Sequence, residues 1–395
     1  MKEMFLRELA DIQTGPFGSQ LHKEDYVENG TPIVTVEHLG NKDFSEQNLP
    51  RVSNSDKERL KKYVLKEGDI VFSRVGSVDR CSYVDKTHEG WMFSGRCLRV
   101  RPNTEIDSEY LYYYFCLDEI KEFVRNIAVG ATMPSINTKL LGEVTVRLPN
   151  LVQQKKIVDV LSAIDGKIKV NRKINDNLEQ QAATYFQELF INNANPVWQI
   201  STISDLGTVV GGSTPSKTKP EYYTNNGIAW ITPKDLSINK SKFISHGEND
   251  ITELGLKNSS ATVMPKGTVL FSSRAPIGYI AIASNEVTTN QGFKSVIPYS
   301  EIGTAFVYFF LKHSLPVIES AASGSTFKEI SGSAMKNIPA IIPDRNTLDQ
   351  FNSFCAPIFA QQKILEEQNH SLAMLRDSLL PKLMSGAIDI ASIQL

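Results

Sequence analysis

The chain of 395 residues carries one sequence pattern twice, in the same order in each half. Residues 26–35 align with residues 223–232 on tyrosine, asparagine, glycine and threonine, and Leu39 and Leu236 follow at the same distance. A repeat of this extent indicates two copies of one folding unit. The length of the chain agrees, since it exceeds what one hydrophobic core usually organises.

Further matches extend the repeat over nearly the whole chain. Residues 9–15 align with residues 203–209, and a turn rich in Gly, Ser and Pro follows each segment. Each copy then has one strand-like segment. Arg74 ends the segment of the first copy and aligns with Arg274 in the second. The remaining matches are Tyr114-Phe115 with Tyr308-Phe309, Gly130–Thr132 with Gly324–Thr326, Ile136 with Ile330, and Pro149 with Pro343.

Each copy consists of a mixed domain followed by a helical segment. The mixed part has short β-type runs and one helical stretch, Glu109–Ile127 in the first copy, which predicts an α+β domain. A proline precedes each helical part, as suits a strand-to-helix boundary. We therefore predict four segments, two mixed domains and two spacer helices in alternation: 1–149, 150–193, 194–343 and 344–390.

The helical segments carry apolar residues with a seven-residue spacing. This period, held over about five heptads, predicts a coiled coil. Polar residues on the seam, among them Asn171, Asn175, Gln362 and Asn369, cost stability but can fix register and partner choice. The predicted seam consists of Ile157, Leu161, Ile164, Ile168, Asn171, Asn175 and Leu178 in the first helix, and Phe351, Ile358, Leu365, Leu372 and Leu379 in the second.

Two arrangements of these helices are open. They can pair antiparallel within the chain as an intramolecular coiled coil, which suits two units from one duplicated sequence. Alternatively, each is an amphipathic helix that lies only on its own domain. About 36 helical residues span roughly 54 Å, more than one DNA turn of about 34 Å. A paired rod would therefore suit two reading domains on a target with unread bases between its halves.

Composition narrows the class of protein. The net charge of −2 argues against a strong non-specific DNA binder that works alone, but a basic partner can share phosphate contacts. The four cysteines form no CxxC pair, which predicts reduced thiols rather than a disulfide framework or zinc site. No segment resembles a signal peptide or a membrane span, so we expect a cytoplasmic protein with no membrane contact.

No catalytic motif stands out in the sequence. It contains no GxGxxG after a strand, no GxxxxGK[ST] and no HExxH. It also lacks the Asn/Asp-Pro-Pro-aromatic tetrapeptide typical of N6-adenine methyltransferases. The chain is therefore predicted to be non-catalytic, with no metal site of its own.

Several segments together resemble the specificity subunits of type I restriction-modification systems. Residues 148–157, continuing through 164–168, are similar to the central conserved region of that family, and residues 375–386 to its distal conserved region. The turns at 14–19 and 211–215 and the segments 273–278, 289–294 and 324–328 are similar to family motifs within the recognition domains. The resemblance covers essentially the whole chain.

The resemblance implies a function. Each domain would read one half of a bipartite site in double-stranded DNA, and the helices would set the spacing and dock two modification subunits. Those partners would bind S-adenosylmethionine and methylate adenine at N6, and restriction subunits would use ATP and Mg for translocation and cleavage. One departure is that residues 72–76 read Phe-Ser-Arg-Val-Gly where residues 273–278 read Ser-Arg-Ala-Pro-Ile-Gly, so the halves are expected to read different bases.

The candidate DNA-binding residues are donors that match base edges or phosphates. Arginine suits guanine, asparagine and glutamine suit adenine, and hydroxyl groups and lysines in glycine-containing turns suit phosphates. For each of them, a structural or merely exposed role is an open alternative. The candidates are Ser19, Arg74, Arg80, Arg96 and Thr132 in the first domain, and Ser213, Thr214, Lys217, Lys219, Arg274, Asn290, Gln291, Lys294, Ser325, Thr326 and Lys328 in the second.

A competing hypothesis from another class is a non-enzymatic scaffold. The duplicated domains would then bind protein, and the helices would serve only as a spacer. Sequence-dependent DNA affinity in a complex with the modification partner distinguishes the two. A third hypothesis, an enzyme, would require adenine methylation by the isolated chain.

Overall fold

The computed structural model describes residues 2–324 and 328–390, apart from the side chains of Ser19 and Lys23. Two compact units make up the chain. The first contains the described residues up to Gly166 together with those from Leu372 onward, and the second contains Lys167–Ser371. Each unit therefore holds one mixed domain and part of each long helical segment.

The described part of the first unit has ten strands and five short α-helices before its long helix. The strands are β1 (Lys2–Phe5), β2 (Ala10–Thr14), β3 (Tyr26–Val27), β4 (Thr31–Val34), β5 (Arg51–Val52), β6 (Ile70–Ser73), β7 (Cys81–Tyr83), β8 (Met92–Phe93), β9 (Cys97–Pro102) and β10 (Thr145–Leu148). The helices are α1 (Leu6–Leu9), α2 (Asn54–Arg59), α3 (Ser108–Phe115), α4 (Asp118–Ile127) and α5 (Thr138–Gly142), and the long helix is α6 (Leu151–Gln187), which continues as a π-helical turn, Glu188–Asn192.

Three sheets organise this unit, in the hydrogen-bonded orders β1-β10, β2-β9-β6-β7 and β3-β5-β4-β8. All strand pairs are antiparallel except β4 with β8, which is parallel. One core cluster lies between the β6 sheet and α3 and includes Phe72, Tyr110 and Phe115. A second cluster lies on the β4 sheet around Ile33 and Phe93.

The second unit repeats this plan. Its strands are β11 (Gln199–Thr202), β12 (Gly207–Gly211), β13 (Tyr223–Thr224), β14 (Ile228–Ile231), β15 (Phe243–Ile244), β16 (Asn249–Ile251), β17 (Val269–Ser273), β18 (Ile277–Ala283), β19 (Thr288–Thr289), β20 (Lys294–Pro298) and β21 (Pro339–Ile342). Its helices are α7 (Pro233–Ile238), α8 (Glu253–Lys257), α9 (Thr304–His313), α10 (Leu315–Ala321), α11 (Gly332–Lys336) and the long helix α12 (Arg345–Ser385).

The sheets of the second unit have the orders β11-β21, β12-β20-β17-β18-β15 and β13-β16-β14-β19. The parallel pair β14 with β19 corresponds to β4 with β8 in the first unit. Two clusters again form the core, one with Phe271 and Phe306 and one with Ile231 and Phe293. The predicted α+β class and the duplication are both confirmed.

The repeat has a different register from the one that letter matching predicts. The carbonyl of Arg74 accepts a hydrogen bond from the N–H of Ile136, and the carbonyl of Ser273 accepts the same bond from Ile330. Ser273 is therefore the equivalent of Arg74, and the predicted match with Arg274 is wrong by one residue. The reason is that the second copy has two serines before its arginine, so identical letters align at non-equivalent positions.

Two other predicted matches are also wrong. The carbonyls of Leu9 and Leu206 occupy the same place, since they accept the N–H groups of Asn103 and Tyr299, so Leu9 does not match Ile203. The second mismatch concerns the aromatic helices α3 and α9. The hydroxyl groups of Ser108 and Thr304 lie beside the glycines that precede β6 and β17, which makes Tyr112, rather than Tyr114, the equivalent of Tyr308.

The helical stretch predicted over Glu109–Ile127 is two helices. Residue Leu117 has extended dihedral angles (φ −60°, ψ 134°) and lies between the end of α3 and the start of α4. Its side chain is buried in the core, so the break turns an apolar residue inward. The carboxylate of Asp107 starts α3, where it accepts the N–H groups of Glu109 and Tyr110 at 2.9 Å each.

Within each unit, α6 lies beside α12. In the second unit, Asn171 donates to Asn369 at 3.0 Å and Gln350 donates to the hydroxyl of Tyr185 at 2.7 Å, so the helices run antiparallel. The predicted pairing is thus confirmed there. The predicted seam residues divide by burial: Ile157, Leu161, Ile168, Asn171, Phe351, Ile358 and Leu365 are buried, whereas Ile164, Asn175, Leu178, Leu372 and Leu379 are partly exposed.

The helices also pack on the mixed domains. In the first unit, Ile157 and Leu161 of α6 belong to the same core cluster as Tyr110, and Leu383 of α12 belongs to it too. The two arrangements proposed from sequence therefore coexist: each helix segment pairs with the other helix and also completes a domain core. Among the described residues, none of the helices is long and apolar enough to cross a bilayer.

The buried amide pair Asn171 and Asn369 generates a stability prediction. Asn171 is fully buried, and its amide nitrogen donates to the side-chain oxygen of Asn369. We expect Asn171→Ala to lower the free energy of unfolding by about 0.5–1.5 kcal/mol, because it removes the hydrogen bond to Asn369, whose partly exposed amide can still bind water. Urea unfolding of the two single variants and the double variant should give a coupling of at least about 0.5 kcal/mol. Arg172→Ala, on the exposed face, is the control; additive single effects would contradict the pairing.

The cysteines generate a second prediction. All four are free; Cys81, Cys97 and Cys355 are buried and Cys116 is partly exposed. Burial raises the pKa of Cys97 and of Cys355 to about 12. At pH 8 only about one in 10,000 of such thiols is the reactive thiolate. Iodoacetamide labelling read by mass spectrometry should therefore spare both residues in the native protein and modify them in urea. Rapid native labelling of either would contradict their burial.

Candidate nucleic-acid interface

In the first unit, four chain segments meet at the end of β6. The N–H of Arg74 donates to the carbonyl of Arg96 at 2.8 Å, and its guanidinium donates to the carbonyl of Gly95 at 3.2 Å. The glycine turn after β2 lies against the same place, since the N–H of Gly15 donates to Cys97 at 3.2 Å. The fourth segment is the hairpin 129–135, which is held by a bond from the N–H of Gly76 to Pro134.

The structure brings together three of the five candidates in this unit. Arg74 is half-buried, whereas Arg96 and Thr132 are exposed on the turn and the hairpin beside it. The guanidinium of Arg80 donates to the carbonyl of Leu39, so it serves at least in part to hold a loop. The backbone of Ser19 lies in a 3₁₀ turn, Gly18–Gln20, but its side chain is outside the described part of the structure.

The same framework recurs in the second unit at the end of β17. The N–H of Ser273 donates to the carbonyl of Gly292 at 2.8 Å, as Arg74 does to Arg96. The N–H of Ser213, after the glycine turn, donates to Thr289 at 2.9 Å, and the hydroxyl of Thr214 donates to the side chain of Gln291. Arg274 forms a bridge with Glu329 of the hairpin that follows α10.

Some candidate side chains of the second unit are exposed, and others contact groups within the protein. Gln291, Lys217, Lys219 and Lys328 are exposed. The side-chain oxygen of Asn290 instead accepts the N–H of Gly292 at 2.8 Å, so it shapes the turn. Lys219 lies 3.9 Å from Glu221, and Lys294 and Arg274 both face Glu329. Ser325 and Thr326 lie outside the described residues.

Sequence reasoning missed three residues on these surfaces. Phe17 and Met133 are 62% and 66% exposed, and they lie on the glycine turn and the hairpin that flank Arg74. Apolar side chains can contact thymine methyl groups or enter between base steps. Their position in turns next to glycine and proline was the available signal. Glu329 is the third, because the candidates predicted from sequence are hydrogen-bond donors, whereas a carboxylate is an acceptor.

Both copies of this framework lie within matches to one protein-family model. The family model for the type I restriction modification DNA specificity domain matches residues 1–180 and 196–369, which together are most of the chain. The chain belongs to this specificity family. Both matches include a complete strand-end framework and the start of a long helix. The family membership predicted from sequence is thus confirmed.

Two relatives show how the similarity is distributed. The MjaIX specificity subunit of Methanocaldococcus jannaschii is 43% identical over 162 residues, which are 40% of this chain and 37% of that subunit. The HindI specificity subunit of Haemophilus influenzae is 24% identical over 407 aligned residues, covering 83% of this chain and 88% of that one. The high identity is thus confined to part of the chain, and a weaker similarity covers most of it.

A solved structure shares the fold. The S subunit of a type I restriction-modification system from M. genitalium superimposes with a TM-score of 0.58 at 17% identity, covering 97% of this chain and 95% of that one. At this identity the similarity concerns the fold. It agrees with the two mixed domains and two long helices described above.

In this specificity-family chain, one lysine in each unit links the mixed domain to the long helices. Lys42 and Lys242 are equivalent, since their carbonyls accept the N–H groups of Tyr83 and Ile282 on strands β7 and β18. The ammonium of Lys42 pairs with Glu109 and donates to the hydroxyl of Tyr113 at 3.0 Å. That hydroxyl donates in turn to Asp165 of α6 at 2.6 Å.

Lys242 makes the corresponding link in the second unit. Its ammonium pairs with Glu179 of α6, donates to Gln362 of α12 at 2.6 Å and lies 4.0 Å from the ring centroid of Phe359. Burial lowers the pKa of Lys242 against the opposing pull of Glu179. Burial also opposes ionisation of Glu179, but Lys242 and Lys312 outweigh it, and the pKa of Glu179 is lowered. Ionisation of Glu179 therefore contributes stability above its unfolded pKa, and that contribution is lost as the pH falls through the folded value.

Replacement of Lys242 tests this link. We expect Lys242→Met to lower the free energy of unfolding by about 3 kcal/mol, the low end of the range for breaking a buried pair, because Lys312 still faces Glu179. Glu179→Gln in the Lys242→Met background should restore part of the loss. Urea unfolding measures both.

Lys240→Met is the matched control, since Lys240 is an exposed lysine two residues away. Its effect should stay within about 0.5 kcal/mol. Equal losses at positions 240 and 242 would show that the buried charge pair does not hold the domain to the helices.

Proposed function

We propose that this chain is the DNA-reading specificity subunit of a type I restriction-modification complex, with each mixed domain reading one half of a bipartite site. The main support for this proposal is that one backbone framework occurs in both units and presents different side chains in each. The strand end meets the turn before the next strand and the hairpin through equivalent backbone bonds in both units, and a glycine turn lies against the same place in each. Such a framework suits two related readers with different targets.

The chemistry at equivalent positions supports two unlike half-sites. Gly15 and Gly212 approach the carbonyls of Ser94 and Asn290 in the same way, which fixes the equivalence of the turns around them. Phe17 in the first unit therefore stands where the second has Thr214. By the same register Gly95 and Arg96 stand where the second unit has Gln291 and Gly292. An apolar ring with arginines favours thymine and guanine, whereas an amide favours adenine.

The partners follow from the specificity role. As the non-catalytic member, the chain would place two modification subunits over the site, and these would bind S-adenosylmethionine and methylate adenine at N6. Restriction subunits would supply the ATP- and Mg-dependent steps. The net charge of −2 supports shared phosphate contacts with such partners. Exposed apolar residues on the long helices support protein docking there: Val170, Ile174, Phe354, Ile364, Met374 and Leu375.

Mapping of methylated adenines tests the proposal. In cells that carry the modification subunits, we expect a bipartite motif with an unread spacer to be methylated when this chain is present and to disappear when its gene is deleted. Re-expression of the chain is the control. An unchanged methylation pattern would remove the DNA-reading role and favour the scaffold hypothesis.

Exchange of residues 1–149 for the corresponding domain of a relative tests the division of labour. One half of the motif should change and the other half should stay, because each half is read by a separate framework. Exchange of residues 194–343 should produce the complementary result. A change in both halves after either exchange would contradict independent reading.

A further inference from the structure

A carboxylate lies within the candidate interface of the second unit. Glu329 belongs to the hairpin that meets the end of β17, and its two oxygens face two basic groups. Arg274 Nη1 lies 3.4 Å from Oε2, and Lys294 Nζ lies 3.6 Å from Oε1. The side chains of Glu329 and Arg274 are 36% and 38% exposed, so solvent and a ligand can reach the carboxylate.

All three charges are absent from the equivalent positions of the first unit. The backbone bridge between Val75 and Ser135 corresponds to the bridge between Arg274 and Glu329. Lys294 pairs with the last residue of β12, Gly211, and its equivalent Leu98 pairs with the last residue of β2, Thr14. The hydroxyl of Ser135 donates to its own hairpin, at Val129, 3.2 Å away. The three charges therefore occur as a set in one domain only.

A carboxylate at this place has two effects on DNA. It repels phosphates and takes up part of the charge of Arg274 and Lys294, which weakens binding to every sequence. It can also accept a hydrogen bond from a base, and in the major groove only cytosine N4 and adenine N6 are donors. A base without such a donor leaves the carboxylate desolvated and unpaired, so the residue discriminates mainly by exclusion.

We propose that Glu329 is a specificity-determining residue of the second domain, where it accepts a hydrogen bond from an exocyclic amino group of a base, with cytosine as the principal choice. This inference rests on the proposed DNA-reading function. Arg274 and Lys294 hold the carboxylate in the free protein. On binding, they are released in part toward phosphates or toward the guanine of the same base pair.

Selection from an oligonucleotide library tests this role. The library is randomised in both half-sites, and the complete complex with its modification subunits selects from it. Wild-type complex should require one base pair in the second half-site by about 5- to 150-fold, the range for a good base contact. Glu329→Gln should reduce this requirement and leave the first half-site unchanged. Glu329→Asp, which keeps the charge, should retain the preference with weaker binding.

The salt dependence of affinity gives an independent readout. Loss of the carboxylate frees Arg274 and Lys294 for phosphates, so the slope of log K against log salt should steepen by about one for Glu329→Gln. Glu253→Gln, which removes an exposed carboxylate from α8, is the matched control and should change neither motif nor slope. The reciprocal variant Ser135→Glu should weaken binding through the first half-site.

The outcomes separate the two proposals. A bipartite wild-type motif that loses one position in Glu329→Gln supports the role of Glu329. A bipartite motif that stays the same in Glu329→Gln, whatever happens to affinity or melting temperature, overturns that role and leaves the DNA-reading function intact. A wild-type complex that selects no motif overturns the proposed function, and the role of Glu329 with it.

Discussion

The structure depends on the burial of the long helices in the cores of the mixed domains. In the first unit, Ile157 and Leu161 of α6 and Leu383 of α12 pack with the aromatic residues of α3. In the second, Phe186 and Phe351 belong to the core around Phe306. Each helix segment thus buries apolar surface against a domain as well as against the other helix. Burial stabilises a fold by about 25 cal/mol per Å² of apolar surface. Contacts with the domains therefore add to the stability of the helix pair, whose seam includes several polar residues.

Polar residues at these apolar interfaces fix the register of the two helices and the position of each domain on them. The side-chain amide of Asn171 donates a hydrogen bond to Asn369, and that of Gln362 donates to the backbone of Asn175, where apolar contact alone would permit the helices to slip. Lys42 and Lys242 do the same for the domains from equivalent positions, since Lys242 contacts both long helices directly and Lys42 reaches α6 through the hydroxyl of Tyr113. Displacement of either domain would leave a buried charge or amide without its partner.

The location of a charge separates structural from reading roles. The Lys242 side chain is 5% exposed and its partners are all within the protein, so its charge serves the fold. Glu329 is 36% exposed and lies 3.4–3.6 Å from the charged groups of Arg274 and Lys294, so its charge is available to a ligand. Both are ion pairs of the second unit. Burial keeps Lys242 paired with Glu179, whereas the exposed pairs of Glu329 can be replaced by contacts with a ligand.

The sequence by itself determined the duplication, the α+β class, the two long helices and the family, because periodicity and repeated glycine and proline turns are local signals. It also predicted candidate turns that the structure brings together, with Arg74, Arg96 and Thr132 on neighbouring segments. It did not determine the register between the copies, since identical letters at Arg74 and Arg274 concealed a shift of one residue. Only the tertiary structure decided which side chains are equivalent, that Asn290 is used to shape its turn, and that Glu329 faces Arg274 and Lys294. The register and the surroundings of Glu329 depend on contacts between segments far apart in the chain, such as Arg274 and Glu329, which are 55 residues apart, and a linear pattern does not contain them.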